Sequence, residues 1–173
     1  MKSKTLITSV VFVLVIAGLF AWGAAGRAGT AASVQGALGA AANGARSALV
    51  APETFYDFGT ISMKNWNVTK EFTVTNPTNE DITVKTVLTS CMCTTAFIVQ
   101  ADGSAKGPFS MPGMGYVPPA NETIKPGESR IIRVVYDPNA HGPAGVGQID
   151  RFVMLTDSSG GTLQFEIKAL VTP

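Results

Sequence analysis

The sequence predicts an all-β fold, an immunoglobulin-like sandwich of seven to eight strands, preceded by an N-terminal transmembrane helix or signal segment. Three observations carry this reading. From Glu53 onward, short apolar–polar alternations are separated by Asn, Asp, Gly and Pro at intervals of about 8–12 residues, and helical periodicity is missing. Ahead of them, Leu6 to Ala25 is an uncharged apolar run behind Lys2 and Lys4. Between the two, Gly26 to Ala51 is built of Ala, Gly and Ser, with Arg27 and Arg46 as its charges and no aromatic residue.

The apolar run is about twenty residues long, and at ~1.5 Å of rise per residue it matches a hydrocarbon core of roughly 30 Å. Positive charge before it orients the N-terminus to the cytoplasm and sends the rest of the chain across the membrane. The alternative is a cleaved signal, with Leu6–Phe20 as its apolar region, Gly23-Ala24-Ala25 as the small residues at cleavage, and a secreted product. The domain plan is therefore a membrane anchor or signal peptide at 1–25, an Ala/Gly-rich linker at 26–51, and the sandwich at 52–173. The linker's Gly and Ala residues pull helix propensity in opposite directions, which makes it a partly helical tether that gives the domain reach.

Within the sandwich, Glu53–Phe58 opens the fold, with Phe55 and Phe58 as core candidates and Gly59 permitting a turn. Asn67–Asn76 alternates, so that Phe72 and Val74 face inward and the Thr/Glu face meets water. Asn76-Pro77-Thr78-Asn79 is a turn, since Pro fixes φ and Asn side chains bond nearby backbone. Ile82–Leu88 and Ala96–Gln100 follow as strands. Ala101–Pro119 is then a Gly/Pro-rich loop longer than the ~12–15 residues usual for structureless connections, with Phe109, Met111, Met114 and Tyr116 to pack it or to meet a partner. After Asn121–Ile124, the Pro126-Gly127 pair fits the centre of a type II turn. Ile131–Tyr136, apolar on both faces apart from Arg133, reads as a central strand, and Asp137–Gly147 as a loop holding the sole histidine, His141. Arg151–Thr156 and Leu163–Val171 close the sandwich, the last with one dry face and one wet face.

Charge excludes some function classes. The net charge of the whole chain is +1, but nine Lys/Arg against all twelve Asp/Glu leave residues from 52 onward at −3. A nucleic-acid partner would require a basic stripe, and none occurs. Hydrolase chemistry lacks its parts: one histidine, no Gly-x-Ser-x-Gly turn, and acids that sit at turns and strand ends. No enzyme activity and no bound organic cofactor is expected.

In order along the chain, Tyr56-Asp57-Phe58-Gly59-Thr60-Ile61, Phe72-Thr73-Val74-Thr75-Asn76, Ser90-Cys91-Met92-Cys93-Thr94, Ile124-Lys125-Pro126-Gly127-Glu128-Ser129 and Tyr136-Asp137-Pro138 resemble the landmarks of the bacterial "domain of unknown function 1573" family. The resemblance covers about residues 52–172. It implies an immunoglobulin-like module of the ASH and major-sperm-protein type, usually exported, and no established activity. One position departs: the family's Cys-Gly-Cys is here Cys91-Met92-Cys93, which puts in question any backbone angle that only Gly adopts.

Cys91 and Cys93, the only cysteines, carry the chemical options. In an extended strand their Cα atoms would be nearly 7 Å apart with diverging Cβ atoms, so a disulfide between them requires a turned backbone. Bridged or buried thiols closing a strand end are one reading. A soft-metal site of the Cu(I) type is another, with Met111, Met114 or His141 as added ligands. A thiol-redox role is the third, although no Cys-x-x-Cys at a helix start is present. The leading functional expectation is a membrane-tethered, extracytoplasmic, periplasmic or cell-surface module that binds or scaffolds an exported or membrane protein without catalysis. Metal or redox chemistry at Cys91 and Cys93 is the alternative.

Overall fold

The structure is a computed structural model and describes residues 45–173. The expected membrane or signal segment Leu6–Ala25, and the spacer up to residue 44, lie outside the described residues. Among the described residues no helix is long and apolar enough to cross a membrane.

Among the described residues nine strands run in chain order: β1 (Phe55–Ser62), β2 (Val68–Thr75), β3 (Ile82–Thr89), β4 (Thr94–Val99), β5 (Ala105–Phe109), β6 (Glu122–Ile124), β7 (Ser129–Tyr136), β8 (Gly147–Asp157) and β9 (Thr162–Thr172). They form a five-stranded sheet in the order β1-β9-β8-β3-β6 and a four-stranded sheet in the order β2-β7-β4-β5. This is the all-β sandwich that the alternation predicts, with one more strand than the upper expectation. The two inner faces meet through Phe72 of β2 and Phe165 of β9, whose rings stack at 4.7 Å. Around them lie Val74, Val84, Val87, Ile98, Ile132, Val134, Leu155 and Ile167, all fully buried.

The long alternating strand β9 buries Leu163, Phe165, Ile167, Ala169 and Val171, as its pattern requires. β7 is central in its sheet, between β2 and β4. Gly127 has φ +74° and the Glu128 N–H donates to the Lys125 carbonyl, the type II turn read from Pro126-Gly127. Asn76 does more than start a turn. It is fully buried, its amide donates to the carbonyls of Glu80 and Ile124, and its carbonyl oxygen accepts the Thr78 N–H. One side chain thus ties the β2–β3 connection to the end of β6.

Four expectations require correction. Phe55 is not in the core: it is 47% exposed with Lys168 over its ring, while Tyr56 and Phe58, edge-to-face with each other, pack against the core. Gly59 does not end the strand either. With φ +68° it lies in a bulge against β9, and β1 continues to bury Ile61. The Ala101–Pro119 loop contains β5, which pairs with β4 and seats Phe109 in the core. Gly107 and Pro108 hide this strand from a propensity reading, and both suit an edge position. Finally, the last residues of the expected spacer are part of the fold. Ser47 and Leu49 are buried, Val50 pairs with Thr75, and Ser47 donates its backbone N–H to Thr162.

Candidate functional site

At the end of β3 the chain makes two consecutive commitments. Ser90 continues the ladder, donating its backbone N–H to the Phe152 carbonyl of β8 and accepting the Phe152 N–H on its hydroxyl, at 2.9 Å each. The chain then reverses in a four-residue turn, Cys91-Met92-Cys93-Thr94, closed by the Thr94 N–H on the Cys91 carbonyl. The buried Thr89 hydroxyl braces the turn from below, 3.1 and 3.0 Å from the carbonyls of Cys91 and Thr94.

That turn brings the two Cα atoms to 5.3 Å, and Cys91 and Cys93 are joined as a disulfide. Met92 keeps a negative φ, so the turn accepts methionine where the family pattern has glycine. Its side chain is exposed, while Cys93 is only 2% exposed and Cys91 is partly buried.

Two other elements converge on the sulfurs. Arg151 lies on β8 one residue before the Phe152 that pairs with Ser90, and this register sets its Nε 3.2 Å from Cys93 Sγ. The loop after β7 supplies His141, whose Nε2 is 3.1 Å from Cys91 Sγ. That loop is held at several points: the Asp137 N–H on the Cys93 carbonyl, the Asn139 N–H on the Asp137 carboxylate, and the Asn139 side chain on the Met63 carbonyl. A 3-10 turn, Gly142–Gly145, follows His141 directly.

The corner therefore holds two sulfurs, one imidazole and one guanidinium. The ligand atoms of Cys91, Cys93 and His141 all lie within 4.8 Å of one another. Tyr136 is buried within the field of the same guanidinium, and its phenol is raised: burial pushes it up, Arg151 pulls it down and Asp137 pushes it up again. Of the three auxiliary ligands named from sequence, His141 is set against the cysteines. Met111 is half-buried and Met114 is exposed, on the segment after β5. Arg151 was not foreseen, because only the β3–β8 register brings it to Cys93.

Residues 49–105 match the model of a family described as "Protein of unknown function (DUF1573)". The match runs from Leu49 to the start of β5 and takes in the first three of the five landmark segments, the cysteine turn among them, so the family resemblance stands over that part of the chain. No curated protein matches the chain. Among solved structures, a protein of unknown function from Porphyromonas gingivalis W83 is similar at 16% identity and a TM-score of 0.52, over 73% of this chain and 46% of its own. The secreted serine protease VesC from Vibrio cholerae aligns at 16% identity and a TM-score of 0.44, over 72% of this chain and 24% of its own. The periplasmic chaperone SfaE aligns at 12% identity and a TM-score of 0.36, over 72% of this chain and 57% of its own. The chain spans less than half the length of the first two, and the likeness to the Porphyromonas gingivalis protein is one of fold.

Proposed function

We propose that the chain is a membrane-tethered, extracytoplasmic β-sandwich that engages an exported partner protein by thiol–disulfide exchange, one partner oxidised for each bridge opened, and that its contact point is the Cys91–Cys93 corner, a reversible disulfide. The observation that supports this is the guanidinium of Arg151 at 3.2 Å from Cys93 Sγ. A cation beside a sulfur favours the thiolate and so makes that sulfur the better leaving group. The balance is complete. A partner thiolate attacks the more accessible Cys91 Sγ, a mixed disulfide forms, and Cys93 leaves as a thiolate paired with Arg151. A second partner thiol then releases the partner as its own disulfide and leaves the protein with two thiols.

Magnitude also favours chemistry over support. A bridge between residues two apart closes so short a loop that the chain-entropy account gives it only ~1.5 kcal/mol. Nine strands and a continuous core hold the fold without it. An oxidising, extracytoplasmic compartment is where such a bridge persists.

The test is the fraction of full-length protein reduced at fixed ratios of a small dithiol to its disulfide, read by alkylation and intact mass. Arg151→Met is expected to lower the reduced-to-oxidised ratio about tenfold, the worth of one charge-assisted hydrogen bond of ~1.4 kcal/mol. An unchanged ratio, or a bridge that dithiol cannot open in the folded protein, would sink the proposal.

A further inference from the structure

We infer that the reduced corner is a binding site for one soft monovalent cation of the Cu(I) class, ligated by Cys91 Sγ, Cys93 Sγ and His141 Nε2, with Arg151 as the charge-balancing group behind it. The inference rests on the reversible opening of the disulfide proposed above.

The donor set comes first. Two thiolates and an imidazole are soft and borderline ligands, the set that selects Cu(I) or Zn(II) rather than hard cations. In this structure the three donor atoms lie within 4.8 Å of one another, and metal–ligand bonds of about 2.0–2.3 Å bridge such a span after small side-chain rotations. Opening the S–S bond frees both sulfurs to make those rotations. His141 is held by the braced loop from Asp137 to Gly142, so the third ligand is in place before an ion arrives.

Charge decides between ions. Two thiolates bring two negative charges and the imidazole none. A monovalent cation together with Arg151 brings two positive charges, so the ligands, the ion and the guanidinium that touches them sum to zero. A divalent cation leaves one positive charge in excess beside the buried Cys93, which burial penalises. Arg151 is thus a discriminator against Zn(II) and a hydrogen-bond donor to the ligating Cys93 sulfur, the kind of outer partner whose loss weakens metal sites 10–100-fold. The reaction balances: both thiols give up their protons to solvent as the cation binds, and no electron moves. The disulfide form has no thiolate to offer, so uptake is gated by the redox state of the same pair.

The experiment uses the full-length protein, reduced with a phosphine under anaerobic conditions, its free thiols counted by alkylation of a parallel sample. Cu(I) is then partitioned against a chromophoric chelator, and Zn(II) against its own. We expect one Cu(I) per chain, lost in Cys91→Ser and Cys93→Ser and absent from the oxidised protein. His141→Ala is expected to weaken Cu(I) at least tenfold. Arg151→Met is expected to weaken Cu(I) about tenfold while leaving Zn(II) binding equal or tighter. Two free thiols with no Cu(I) uptake, or Cu(I) uptake indifferent to His141→Ala and Arg151→Met, overturns the site while leaving reversible reduction intact. A phosphine that yields no free thiols in the folded protein overturns both.

Discussion

Asp157 sits at the end of β8, nearly buried, and its carboxylate accepts from the hydroxyls of Ser47 and Ser159 and from the backbone N–H groups of Ser159 and Gly161. Burial pushes its pKa up; the Ser159 and Ser47 bonds and the two amides pull it down further, and the net is a carboxyl below its ordinary value. A folded-state pKa below the unfolded ~3.9 gives stability that is present above that value and lost as pH falls through the folded one. Asp157→Asn is expected to cost about 2 kcal/mol at neutral pH and to flatten the acid limb, measured by denaturant unfolding across the acid range. Parallel curves for variant and parent would refute the assignment. At this scale the sequence speaks unevenly. Asn76 is legible as a turn residue from its Pro77 neighbour, whereas its role as a buried hub depends on β6, almost fifty residues away. His141 stands out for being unique; Arg151 carries no local signal at all.

Elements with strict alternation were fully legible, β2 and β9 above all, because period two and one buried face leave a single register. Where an element breaks that rule, pattern reading stops short. β5 carries Gly and Pro inside a strand, and β8 begins at Gly147, four residues before the expected Arg151, because Gly and Asp near its start read as loop although Ile149 is buried. The segment before β1 is the clearest case. Its Ala, Ser and Arg residues look like spacer, yet Ser47 bonds to the β9 side and Val50 to β2, so one strap touches both sheets. Leu49, between those bonds, is buried. Leu49→Ala is expected to cost about 2–4 kcal/mol, as a core leucine does and a linker leucine does not. Unfolding indistinguishable from the parent would return this segment to the spacer.

For the whole molecule, alternation and turn spacing point to an all-β fold, and the division into two sheets, in place of a jelly roll or a small barrel, is what the structure adds. The cysteine corner was only half legible. Its two thiols and their need for a turned backbone follow from spacing, but the groups beside them come from β8 and from the loop after β7, and only the closed fold brings these together.

One pairing has a mechanical consequence. β1 and β9, the first and last strands, run parallel, with Phe55 opposite Glu166 and Ser62 opposite Thr172. A pull applied at Phe55 and at Thr172, the opposite ends of this pair, therefore drags the strands past each other lengthwise, loading their hydrogen bonds together rather than one at a time. Single-molecule extension between those two ends is expected to give one abrupt high-force rupture; gradual low-force peeling would contradict it. In this geometry the bonds between the two strands share a load along the chain in parallel instead of in series.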